Sequence, residues 1–283
     1  MRSLEKLQAI DRRILYLLLA LAVAIPLYKP IGLPFTVGAE ARDSFNYVEQ
    51  NIKPGDLVLM SFDMSTGSLP ELEPVAIAVM AHLAKKGASI IGIATAPDGP
   101  MLAWQIWRPF EKELPYGERF VNLGFLAGGE SGLAAFLENP YAVFRQDIRG
   151  NLAQNIPMLK GFKDVKDLKM MVSINTGPTG GCSVAQWVRI GFTTHKKAVW
   201  IGLNAVMAPG SMPYYRSGQL KGYVAGTRGA GEYEMLLKRP GLAIAGMDAQ
   251  AMAHALIILF IFLGNIGMFA VKRAKGQRGG VKP

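Results

Sequence analysis

Four stretches of small, polar and charged residues interrupt the apolar runs of this 283-residue chain. The first is Asp63-Met64-Ser65-Thr66-Gly67-Ser68, directly after a continuous apolar run. Its carboxylate and hydroxyl oxygens are the ligands a hard divalent cation takes. The same short polar side chains also cap helices. The second is Asn175-Thr176-Gly177-Pro178-Thr179-Gly180-Gly181-Cys182-Ser183, running from a strand into a helix. Consecutive glycines let backbone N–H groups converge at a helix start, an anion site by geometry. Thr176, Gly177, Gly180, Gly181 and Ser183 are its candidate ligand residues. Without a ligand, the same stretch is a tight βα turn with Ser183 as cap. The third is Ala208 to Gly218, rich in turn formers and carrying Tyr214 and Tyr215, as a contact surface or pocket wall would be. Ser211 with Lys221 is a possible hydroxyl–amine pair of the kind in which a desolvated Lys activates a nucleophile. In the fourth, Gly226 to Glu232, Arg228 lies among small residues and can meet a phosphate or carboxylate, although a glycine-rich turn before a helix needs no ligand.

None of these completes a known motif. The first resembles the D-x-S-x-S metal site of von Willebrand A domains, with the second serine one place late at Ser68 and Gly67 in its position, and it carries no family assignment. The second is neither a Walker A loop, since no Lys follows the glycines, nor G-x-G-x-x-G. The three histidines His82, His195 and His254 have no metal-binding spacing, and the single Cys182 builds neither a zinc site nor an internal disulfide. No cofactor and no metal are therefore expected. A serine hydrolase using Ser183, Ser211 or Ser65 is the enzymatic alternative.

The elements that would position these loops alternate. Helical character over 37–52 precedes an apolar strand over 57–62. A helix over 70–86 has acids in its first turn, lysines in its last and a Val75-Val79-Leu83 stripe. Strands at 89–95, 120–125, 169–174 and 198–206 read as buried, and helices are expected at 101–114, 131–138, 183–194 and 231–238. Residues 139–166 look irregular, and 223–225 is a possible edge. This alternation predicts an α/β domain with a mostly parallel sheet and helices on both faces.

Two apolar segments flank that domain. Ile14–Tyr28 has no charge and, extended to Phe35, gives a first expected transmembrane helix over 14–35. Ala251–Val271 gives the second. The formal net charge of +10 sits mostly outside the domain: +3 in residues 1–35, +5 in 251–283 and only +2 in 36–250. Basic tails beside apolar runs mark membrane flanks, and no nucleic-acid partner is expected. The positive-inside rule assigns 1–13 and 272–283 to the cytoplasm and 36–250 to the far side of a cell membrane. The expected function is a membrane-anchored binding or scaffolding domain without catalysis. Its expected partners are the lipid bilayer and either a second copy or another membrane protein. Ala20, Ala24, Gly264, Gly267 and Asn265 are the residues that would let helices approach.

Overall fold

The computed structural model describes residues 11–177 and 181–278. Phe35–Ala243 is one compact unit, and the chain on either side of it forms a second. In the first unit, α2 (Ala39–Asn51) leads to β1 (Leu57–Asp63), α3 (Leu69–Lys85), β2 (Ser89–Ala94) and α4 (Gly99–Trp107). Next come β3 (Phe120–Phe125), α5 (Gly129–Glu138), the single turn α6 (Pro140–Val143) and β4 (Leu168–Asn175). The unit continues with α7 (Val184–Trp187), β5 (Ala198–Leu203), α8 (Ala208–Arg216), β6 (Leu220–Ala225) and α9 (Gly226–Leu237).

The six strands form one sheet in the order β3-β2-β1-β4-β5-β6, and every pairing is parallel. This is the doubly wound order, built outward in two halves from the β1/β4 pair. Period-two alternation sends Met60 and Phe62 to one face and Leu59 to the other. The first face is covered by α2, α3, α4 and α9, through residues such as Val48, Leu72, Ile106 and Tyr233. The second is covered by α5 and α7, through Phe136, Leu137 and Trp187. The irregular segment before β4 completes that layer. Phe144, Ile156, Leu159 and Phe162 are all buried, so the segment fills helix-sized space with side chains hung on 3-10 turns.

Three elements differ from the sequence reading. Ala208–Arg216 is a helix rather than a loop: Pro209 sits in its first turn, where no donor is needed, and only Pro213 lies inside. The stretch Gly226–Glu232 is the opening of α9, not a turn before it. Its glycines serve packing, since a Cβ on Gly226 would lie 2.7 Å from Glu71 Oε1 and one on Gly229 3.1 Å from Val224. After Trp187 the helix widens to a π-helix over Val188–Thr194, where Gly191 passes so close to Val199 that a Cβ would lie 2.5 Å from its Cγ2.

In the second unit, α10 (Leu242–Arg278) contains an apolar stretch, Leu242–Phe269, long enough to cross a membrane. Ile257, Leu259, Ile261, Phe262 and Phe269 along it are 44–66% exposed. Two crossing helices were expected and one has the length. The helix α1 spans Arg12–Tyr28, 17 residues including two arginines and Pro26. At 1.5 Å per residue that is about 26 Å, short of a hydrocarbon core of roughly 30 Å. The prolines at Pro30 and Pro34 and the positive φ of Gly32 keep the chain beyond Tyr28 out of helix.

Candidate functional site

Doubly wound sheets bind ligands where the two halves diverge, outside the carboxyl ends of the central strands. Here β1 and β4 end in register, Asp63 opposite Asn175. The chain leaving β1 turns to the first face and the chain leaving β4 to the second.

The centre of that switch point is the carboxylate of Asp63, fully buried. Oδ1 accepts from Ser61 Oγ at 2.6 Å, Thr95 N at 2.8 Å and Thr95 Oγ1 at 2.6 Å. Oδ2 accepts from Ser173 Oγ and from Trp187 Nε1, each at 2.7 Å. Two hydroxyls have their orientation fixed from behind. Thr95 Oγ1 accepts from Cys182 N at 2.8 Å, and Ser173 Oγ accepts from Asn175 Nδ2 at 3.1 Å. Their protons therefore point at Asp63, which is the donor set of an ionised carboxylate. Burial pushes the Asp63 carboxyl upward, and the hydrogen bonds from Ser61, Thr95 and Ser173 pull against it. Burial, and then the neighbouring Asp63, push the Cys182 thiol up to about 12, so it is no nucleophile.

The described residues of the glycine-rich loop bond to and around this cluster. Thr176 N donates to Asp63 O at 2.9 Å, and Gly177 N to Asn175 Oδ1 at 2.7 Å. Asn175 Nδ2 reaches across to Cys182 O at 2.6 Å. Ser183 N donates to Gln186 Oε1 at 2.7 Å, and the Ser183 hydroxyl accepts from Gln186 N at 3.4 Å in a capping box. Gly181 has φ +109°, and a Cβ there would lie 2.2 Å from Thr95 Oγ1. The N–H groups of Thr176, Gly177, Cys182 and Ser183 are thus each taken by an oxygen of the domain itself. Thr179 and Gly180 lie outside the described residues.

The other candidates sit apart. Ser65 exchanges hydrogen bonds with Ser68 ahead of α3, and both the N–H and hydroxyl of Thr66 donate to Asp98. The oxygens of Asp63 and Ser65 do not converge, because Asp63 is turned into the sheet. Among the described residues no three His, Cys, Asp or Glu side chains are grouped to hold a metal ion. Arg228 pairs with Glu232 at 3.0 Å beyond β6, at the sheet's edge. Ser211 is buried in α8, while Lys221 Nζ lies 5.9 Å from the Phe192 ring. The buried His82 bridges Glu49 and Tyr233 in the helical layer of the first face, 2.8 Å from each, so both its ring nitrogens are engaged by groups other than a serine.

Ser61, Thr95, Ser173 and Trp187 carry the cluster without having been singled out in the sequence, and Asn175 enters there only as the start of the glycine-rich loop. A signal was there. In LVLMSFD and KMMVSIN the polar residues fall two apart inside otherwise apolar strands, so they share a face. The fold and this site define an α/β domain of the doubly wound class in which the described switch-point side chains bond to one another. Against protein-family models, curated proteins and solved structures, the chain matches none.

Proposed function

We propose that the protein is a membrane-anchored α/β binding or scaffolding subunit without catalytic activity of its own. The observation that carries this reading is the internal bonding of the described switch-point residues. At the switch point the chain spends a carboxylate and the N–H groups of Thr176, Gly177, Cys182 and Ser183 on hydrogen bonds within the domain. The hydrolase alternative finds little support: Ser183 and Ser65 are engaged in helix caps and Ser211 is buried.

Anchoring rests on α10 and, in the proposal, on α1 as a second, shorter span. Asp248 supports the pairing. Its carboxylate, 2% exposed, accepts from the backbone N–H groups of Ile31 and Gly32 at 2.7 Å and of Leu33 at 2.9 Å. Non-helical backbone needs such partners at membrane depth, where water is scarce. The bonds tie the exit of α1 to the second turn of α10, so two spans would enter from one membrane face and both termini would lie together, in the cytoplasm by their charge. Self-association or a partner membrane protein completes the proposal, with Gly264 open to close helix approach because nothing lies within 4 Å of a Cβ there. Reaction of the purified full chain with a fluorophosphonate probe separates the two functions. No serine is expected to be labelled; stoichiometric labelling at Ser65, Ser183 or Ser211 overturns the non-catalytic reading.

A further inference from the structure

The segment between α6 and β4 holds a second built feature, on the flank of the sheet opposite β6. Gln146 and Leu152 bridge across a tight turn organised by Asp147. The Asp147 carboxylate accepts from Arg149 N at 2.9 Å and Asn151 N at 2.8 Å on one oxygen. The other oxygen accepts from the Tyr116 hydroxyl at 2.9 Å and from Asn151 Nδ2 at 3.0 Å. Ile148 N donates to Asn122 O at 3.1 Å, which fixes the turn to the edge strand β3. Met158 N donates to Gly117 O at 3.0 Å and fixes the opposite wall.

The turn lays the Arg149 guanidinium over two aromatic rings, 3.8 Å from the Tyr116 centroid and 4.6 Å from that of Trp104. Stacking of this kind immobilises a planar fork through its face and leaves its N–H edge free to donate. No carboxylate pairs with that edge among the described residues. Asp147, two positions before Arg149 in sequence, has both oxygens occupied by donors other than the guanidinium. Beside the guanidinium opens a cavity of about 380 Å³, walled by Tyr116, Gly117, Asp147, Asn151, Asn155 and Pro157.

We propose that this cavity is a binding site for a small ligand bearing a carboxylate or phosphoryl group, received by the N–H edge of Arg149. The fork is positioned before the ligand arrives, so little side-chain entropy is lost on binding. Its geometry matches a two-oxygen anion in a way a point charge does not. The cavity lies at the small end of ligand pockets, suited to a compact anion rather than a dinucleotide. The inference stands independently of the membrane reading.

Calorimetric titration of the full chain in detergent, at low ionic strength, tests it with three probes. Inorganic phosphate and succinate represent a free phosphate and a free carboxylate; dihexanoyl phosphatidylglycerol represents a lipid headgroup. At least one is expected to bind one to one and saturably, and the preferred probe tells which source the site serves. Arg149→Gln is expected to weaken that binding at least about tenfold, and Arg149→Lys to lie between, since it keeps the charge and loses the fork. Trp104→Leu removes part of the stacking platform and is expected to weaken binding with the charge intact. The proposal is overturned if no probe saturates below roughly 10 mM, or if Arg149→Gln binds as the unaltered chain does.

Discussion

Asp63→Asn is the sharpest perturbation of the switch point, because each carboxylate oxygen faces at least one group that can only donate. Thr95 N faces Oδ1 and Trp187 Nε1 faces Oδ2. The amide replaces one oxygen by an NH2 group, so whichever way it turns it sets N–H against N–H. A buried donor left unsatisfied costs about 1–3 kcal/mol, and weaker bonds to the remaining neutral oxygen add roughly 1 kcal/mol. Removing the charge also relieves its burial, which keeps the loss well below the sum of five charge-assisted bonds. The expected destabilisation is about 2–4 kcal/mol, a melting temperature lower by roughly 5–15 °C for a domain of this size. Trp187→Phe removes the obligate donor on Oδ2, which lets the amide nitrogen point there. The double variant is therefore expected to be no less stable than Asp63→Asn alone, measured by denaturant unfolding of the four chains as a cycle. If Asp63→Asn lies within about 0.5 kcal/mol of the unaltered chain, or if the two substitutions simply add, the cluster does not hold the halves of the sheet as described.

Gly181→Ala places a Cβ against Thr95 at a backbone angle that L-residues rarely adopt, and a loss of at least about 2 kcal/mol is expected in the same unfolding assay. His82 titrates below its usual range because burial disfavours its charged form, only partly offset by Glu49. Its contribution is thus present above the unfolded value of about 6.5 and is lost as pH falls through the folded one, so stability is expected to decline on acidification from about pH 6.5. Glu49, held down mainly by its bond to His82, adds a loss only at still lower pH, below the ordinary carboxylate range near 4. His82→Gln is expected to flatten the slope just below about pH 6.5, and an unchanged slope in pH-dependent melting contradicts the assignment.

The alternation of apolar runs with helical stripes made the α/β class and the parallel sheet legible. Strand order was not, because the apolar runs of all six strands look alike and long-range pairing leaves no local mark. Where composition misled, it did so for one reason. Gly226, Gly229 and Pro209 are turn formers by local propensity, and here they sit in helices because a close approach to Glu71 or Val224, or a helix start, favours them. The candidate loop after β4 was visible as a glycine-rich connection. That its N–H groups at Gly177 and Cys182 are taken within the domain depends on Thr95 and Asn175, whose positions follow from which strands are neighbours. The Arg149 platform was equally invisible: Trp104, Tyr116 and Arg149 lie on three separate segments that meet only at the β3 edge.

The most direct test of the central claim, a domain held across a membrane by two spans, is cysteine accessibility in intact cells or spheroplasts. Cys182 is 1% exposed and supplies no background. With a membrane-impermeant maleimide, Ser217→Cys in the domain is expected to react without permeabilisation. Ser3→Cys and Gly279→Cys are expected to react only after permeabilisation. If the domain position is protected, or if one terminus reacts alongside it and the other does not, the two-span anchored arrangement is contradicted.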